Sequence, residues 1–123
     1  MVDAIFAPQL SAKIDFSGVV AKGAPPAIAV PVDLKVYDPD VSIGLASNAV
    51  SRNDRVLGDG KPGRKAGSAY WYGAKNSEWW VDRTAGIGVV MVSNFFPWND
   101  PAWLKLVADV EGAIYAGISP WGN

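Results

Sequence analysis

The chain has no cysteine and no histidine. Without cysteine there are no disulfides, no thiolate catalysis and no cysteine-based zinc sites. Without histidine there is no Ser-His-Asp or Cys-His catalytic set, and a zinc hydrolase site loses its usual ligand. Acid–base chemistry would fall to Lys, Tyr, Asp or Glu. Charge imbalance is also missing: the formal charge is −1, so a nucleic-acid partner is not expected. No apolar run is long enough to cross a bilayer and no basic-then-apolar leader opens the sequence, which makes a cytoplasmic chain the default expectation. No metal and no cofactor is expected either. What remains is 123 residues with an apolar share of 50%, one domain with one core.

The informative stretch is residues 67–94. Aromatic and β-branched residues fill two runs, Tyr70-Trp71-Tyr72 with Trp79-Trp80-Val81, and then Ile87 to Val92. The polar, glycine-containing residues 82–86 separate them, which is the pattern of a β-hairpin with a further strand leading in. Trp79 and Trp80 are neighbours on a strand and point to opposite faces. Ile87, Val89 and Met91 face one way, and Val90 and Val92 the other. Both faces are apolar, as in a central strand covered on each side.

The remaining segments are read as supports. Residues 1–10 are the tail of a helix or an extended lead-in, because Pro8 would break a helix interior. Residues 11–31, with Gly18, Gly23, Pro25, Pro26 and Pro31, are expected to be a surface excursion. Val32, Leu34 and Val36 alternate with polar neighbours and predict a strand ended by the Asp38-Pro39-Asp40 turn; Val41, Ile43 and Leu45 predict a second. Residues 51–66 read as a solvated loop, with Lys61 to Lys65 as its basic part. The Asp33, Asp38 and Asp40 group reads as turn chemistry, not a metal site.

Asp100-Pro101 marks a helix start, a capping carboxylate followed by proline where its missing N–H costs nothing. Trp103, Leu106, Val107, Val110, Ala113 and Ile114 form an apolar stripe, with Lys105, Asp109 and Glu111 off it, and Gly117 stops the helix. A helix over 103–116, of about 16 residues and roughly 24 Å, covers one sheet face. The fold expected is α+β: an antiparallel sheet of three to five strands with this helix across one face, as a single domain over 1–123. No comparable helix is encoded for the other face. An apolar face left open is usually covered by a partner, so a homo-oligomer or a complementary N-terminal chain is expected.

Trp71-Tyr72-Gly73-Ala74-Lys75-Asn76-Ser77-Glu78-Trp79-Trp80-Val81-Asp82, followed by Gly86-Ile87-Gly88-Val89-Val90-Met91, Phe96-Pro97-Trp98-Asn99-Asp100-Pro101 and Glu111-Gly112-Ala113-Ile114-Tyr115, resembles the C-terminal part of the serine β-lactamase-like family. The nearest branch is the class C β-lactamase-related esterases and transesterases, fungal acyltransferases of the lovastatin-synthesis type among them. The resemblance implies that Trp71, Tyr72 and Gly73 stand for the third active-site motif, and that the Ala74 backbone N–H is a donor of the oxyanion hole. It implies a small acyl or ester ligand. Asn76 and Asp82 are structural positions under this resemblance, expected to fix the hairpin by side-chain to backbone bonds.

The family's nucleophilic serine and its lysine lie one helical turn apart, as Ser-x-x-Lys. No serine here has lysine three positions on, and no Tyr-x-Asn or Tyr-x-Ser follows. No catalytic residue is therefore assigned. The expectation is a fragment, subunit or truncated relative of a serine hydrolase or acyltransferase, inactive alone. The alternative is a noncatalytic binding or assembly module built on the same sheet and helix.

Overall fold

A computed structural model describes residues 2–9, 41–43 and 49–118. The expected surface excursion, the strand at Val32 and the Asp38-Pro39-Asp40 turn lie outside the described residues. A short helix α1 (Val2–Phe6) comes first. Five strands follow: β1 (Val41–Ile43), β2 (Ala49–Ser51), β3 (Ala69–Gly73), β4 (Ser77–Asp82) and β5 (Ile87–Met91). They form one antiparallel sheet in the order β1-β2-β3-β4-β5, and helix α2 (Pro101–Gly117) completes the α+β fold.

Hairpin register decides which residues share a face. Tyr70 pairs with Trp80 and Trp80 with Val89, while Tyr72 pairs with Glu78 and Glu78 with Met91; these rows lie on the helix side. Trp71, Trp79 and Val90 form the corresponding row on the far side. The core joins Tyr70 and Trp80 to Trp103, Val107 and Tyr115 of α2. The far side is closed at Val50 and Ala69, yet Val90 and Val92 are 74% and 77% exposed. This open side at β5 is the face for which the sequence encodes no covering helix. Among the described residues β5 is the last strand of the sheet, with a partner on the β4 side only.

Helix α2 starts as expected, with the Asp100 carboxylate accepting from the N–H groups of Ala102 and Trp103 at 2.8 and 3.3 Å. Its inward face differs from the expected stripe. Leu106 is half exposed and Ala113 is exposed, whereas Trp103, Val107, Glu111, Gly112 and Tyr115 are buried. The reason is the loop between β2 and β3, which is not a simple solvated connection. It folds into a narrow ribbon, with Arg55 N–H donating to the Arg64 carbonyl at 2.8 Å and Leu57 N–H to the Lys61 carbonyl at 2.9 Å. That ribbon lies on α2 where there is no side chain to keep it off. A Cβ on Gly112 would come within 3.1 Å of Leu57 Cδ1, and one on Gly63 within 2.6 Å of Glu111 Oε1.

Candidate functional site

The residues singled out by motif sit at the end of β3 and in the turn to β4. Gly73 closes the ladder opposite Ser77, and the turn 74–76 returns the chain through Asn76 in the left-handed region, at φ 55°. A Cβ on Gly73 would meet Ser77 Oγ, so a larger residue here would make that hydroxyl turn away. Ala74 is exposed at the turn. The Ser68 carbonyl accepts from Ser51 of β2. Alternation along β3 then directs the backbone groups of residues 70 and 72 to the side away from β4. The described pairing with β2 ends at Ala49 and Tyr70.

The aromatic residues around this turn divide between the two faces. Trp71 is 42% exposed on the far face. Tyr72 lies on the helix side, its ring edge-on to Tyr70 at 5.8 Å and to Trp98 at 6.0 Å. Asn76 is fully buried. Its Nδ2 donates to the carbonyls of Phe95 and Pro97 at 3.1 and 2.7 Å, and its Oδ1 accepts from Asn99 N–H at 2.8 Å. One amide side chain thereby ties the turn bearing Ala74 to the segment that leads into α2, beyond its own hairpin.

Asp82, at the other end of β4, joins three further pieces. Its carboxylate accepts from Ala85 N–H, from Lys65 N–H and from the Tyr115 hydroxyl, each at 2.8 Å. Burial, and then the hydrogen bond to Asp82 and its charge, push the Tyr115 hydroxyl far above its ordinary range, so it stays a donor. A shallow depression of about 430 Å³ beside the β4–β5 turn is lined by Arg83, Thr84, Ala85, Gly86 and Ile87. It lies at the opposite end of the hairpin from Ala74 and gathers no set of converging polar groups.

The sequence reading missed a buried charge cluster under the sheet. Arg64, expected to be solvated, is 1% exposed and lies over the rings of Tyr70 and Trp80 at 4.8 and 4.7 Å. Its guanidinium donates to Glu78 at 3.0 Å and to both oxygens of Glu111 at 3.1 and 3.0 Å, while Arg55 reaches Glu111 at 2.9 Å. Burial pushes the Glu111 carboxyl up, and Arg64 and Arg55 outweigh it, so the group is held below its ordinary 4.5. Two signals were present in the sequence. Glu111 continues the Trp103–Val107 spacing of four, and Glu78 and Asp82 alternate onto the same face as Trp80.

Two serine hydroxyls are committed to carbonyls: Ser68 Oγ donates to Lys65 at 2.7 Å and Ser93 Oγ to Lys75 at 2.5 Å. The Lys65 ammonium pairs with Asp54 at 3.0 Å and the Lys75 ammonium lies 5.9 Å from the Phe96 ring. The geometry therefore offers a rigid strand end, an exposed tryptophan and a turn amide, without a serine activated by an amine at these positions. No helix among the described residues is long and apolar enough to cross a membrane, and they contain no metal-binding cluster of acidic residues.

No protein-family model matches the chain. It is 30% identical, over 76% of its length, to the ML-236A carboxylate methylbutanoyltransferase of Penicillium citrinum, of which it covers 25%. It is 38% identical, over 47% of its length, to a monacolin J acid methylbutanoyltransferase of Aspergillus terreus, of which it covers 14%. Its fold matches simvastatin synthase of Aspergillus terreus in an unliganded selenomethionyl form, with a TM-score of 0.68, 28% identity and coverage of 98% of this chain and 28% of that one. A mutant of the same synthase gives a TM-score of 0.67 at 26% identity, covering 94% of this chain and 27% of that one. The chain thus spans a quarter or less of the curated relatives it matches.

Proposed function

Because this chain is a partial relative of the β-lactamase-like acyltransferases, we propose that it supplies the wall and one oxyanion donor of an acyl-transfer site whose nucleophile lies on another segment. In this reading a Ser-x-x-Lys helix outside residues 1–123 brings a serine to the acyl carbonyl. The serine oxygen forms a bond to carbon as the lysine takes its proton, and the electron pair moves to the carbonyl oxygen. The Ala74 N–H, held by the Gly73 closure and the Asn76 clamp, donates to that oxygen as charge develops there. A preorganised donor of this kind contributes about 10²–10³ in rate. Trp71 forms an exposed wall beside it, and a small ester or acyl group is the substrate class. The observation that carries the reading is the exposed Ala74 turn, held to β4 by Gly73 and to the 95–99 segment by Asn76.

Mixing the purified chain with a separately expressed segment that bears Ser-x-x-Lys tests it directly. Hydrolysis of a p-nitrophenyl ester is expected in the mixture and in neither part alone. Ala74→Pro removes the N–H at the first turn position, where proline is well tolerated in type I and II turns, and is expected to lower the mixture's kcat about 100-fold with the melting temperature unchanged. Turnover by the isolated chain, or an Ala74→Pro mixture as active as the original, would overturn the assignment. The exposure of Val90 and Val92 favours a second reading, a noncatalytic assembly module; a mixture that associates without turnover supports it.

A further inference from the structure

The turn that carries Ala74 ends the β3–β4 pair, and the last helix-side residues before it are the register pairs Tyr70–Trp80 and Tyr72–Glu78. The Arg64 guanidinium touches three of these four side chains. It lies over the Tyr70 and Trp80 rings at 4.8 and 4.7 Å and donates from Nη2 to Glu78 Oε1 at 3.0 Å. Tyr72, the fourth, stands edge-on to Tyr70 and to Trp98. One further pair, Gly73–Ser77, separates Glu78 from the turn. Behind the guanidinium, the Glu111 carboxylate holds Arg64 to α2, accepting from its Nε, its Nη2 and its backbone N–H. The start of the same helix holds the turn from its other side, because Asn99, next to the Asp100 cap, donates its N–H to Asn76 Oδ1. The contacts therefore close a ring: from the turn through Asn76 to α2, along the helix to Glu111, and back through Arg64 and Glu78.

We infer that Arg64 and Glu78 are positioning residues for the Ala74 donor, fixing the last strand pair before the turn against α2 and acting through that pair rather than on the acyl group. The inference rests on the acyl-transfer reading. Asn76 pins the turn at one point, through its bonds to the 95–99 segment. The Arg64–Glu78 bond supplies a second point, on β4. Two points fix an orientation where one fixes only a position, and a displacement of about 1 Å at a reacting group costs up to about 100-fold in rate. The second point is also a stiff one. Arg64, Glu78 and Glu111 are all buried, so any tilt of β4 away from α2 separates desolvated opposite charges, which water does not compensate.

Replacing Arg64 leaves two buried carboxylates unpaired and endangers the fold, so the test is Glu78→Gln, which keeps the shape and an acceptor while Arg64 stays paired with Glu111. The chain is mixed with the Ser-x-x-Lys-bearing segment at a temperature where every variant is folded by circular dichroism. Glu78→Gln is expected to lower kcat for a p-nitrophenyl ester about tenfold, with KM within about twofold of the parent. In the Ala74→Pro background, which has no donor left to aim, the same substitution is expected to lower kcat by less than about twofold. A loss of general structure would add to the Ala74→Pro loss instead. Backbone amide relaxation by NMR on the chain alone reads the positioning without catalysis: the order parameter of the Ala74 N–H is expected to fall from about 0.85 toward about 0.6 in Glu78→Gln. An active mixture in which Glu78→Gln keeps its kcat, loses it additively with Ala74→Pro, or leaves that order parameter unchanged overturns the inference alone. A mixture without turnover overturns the acyl-transfer reading and the inference with it.

Discussion

Glu111 is the single residue on which most of the hidden interactions converge. Its carboxylate takes two bonds from the Arg64 guanidinium, one from Arg64 N–H at 2.8 Å and one from Arg55, with none of its side chain exposed. Removing one member of a buried pair leaves the other charge desolvated, at a cost of about 3–5 kcal/mol. Glu111→Gln retains the shape and an acceptor for Arg64 N–H but deletes the charge, so its loss should approach the lower end of that range. The pH dependence has a definite sign. Held below 4.5 when folded, Glu111 binds fewer protons in the native than in the unfolded chain, so its contribution is complete above that value. It is lost as pH falls through the lower, folded value. Denaturant midpoints measured from about pH 7 down to about pH 3 should therefore fall less steeply in Glu111→Gln than in the parent. Parallel curves would show that another carboxylate controls the acid limb.

Helix α2 shows how far a periodic pattern specifies an element and where it stops. The cap at Asp100, Pro101 in the first turn and the end at Gly117 were all legible, because each is local chemistry at the helix ends. The β4–β5 hairpin was legible from the polar, glycine-containing residues 82–86 between two apolar runs, with β3 as the strand leading in. What α2 packs against was not. Hydropathy assigns Leu106 to the core and Glu111 to solvent, but the ribbon from Arg55 to Arg64 inverts both, and Arg64 meets Glu111 across 47 positions of sequence. Neither partner looks buried until the other is in place. The two sides of the helix should respond accordingly. Val107→Ala, at a fully buried position in contact with the core, is expected to cost about 2 kcal/mol. Leu106→Ala, half exposed one residue earlier, is expected to cost under about 0.5 kcal/mol. Equal losses in thermal denaturation would mean that the helix is rotated from the orientation described.

On the scale of the molecule, the sheet, the ribbon and α2 are joined by a charge cluster where most domains of this size use apolar packing. Arg64 brings the ribbon to Glu78 on β4 and to Glu111 on α2, with Tyr70 and Trp80 beneath its guanidinium. A cluster of this kind need not add stability over an apolar replacement, because the desolvation of its charges offsets their attraction, but it penalises any arrangement that separates the members. That distinction is measurable. Arg64→Met strands two buried carboxylates together and is expected to cost about 3–5 kcal/mol. Combining Arg64→Met with Glu78→Met and Glu111→Gln removes the stranded charges and keeps an acceptor for the ribbon N–H. The triple variant should regain more than half of the lost stability in chemical denaturation, with Arg55, 17% exposed, turning to solvent. If it regains none, the cluster is a net source of stability and the ribbon is held to the sheet by charge. If it regains stability but its tryptophan and circular dichroism transitions separate, the cluster's contribution is to make ribbon, sheet and helix unfold as one unit. Coincident transitions in the triple variant would assign that cooperativity to the apolar contacts of Trp80, Trp103 and Val107 instead.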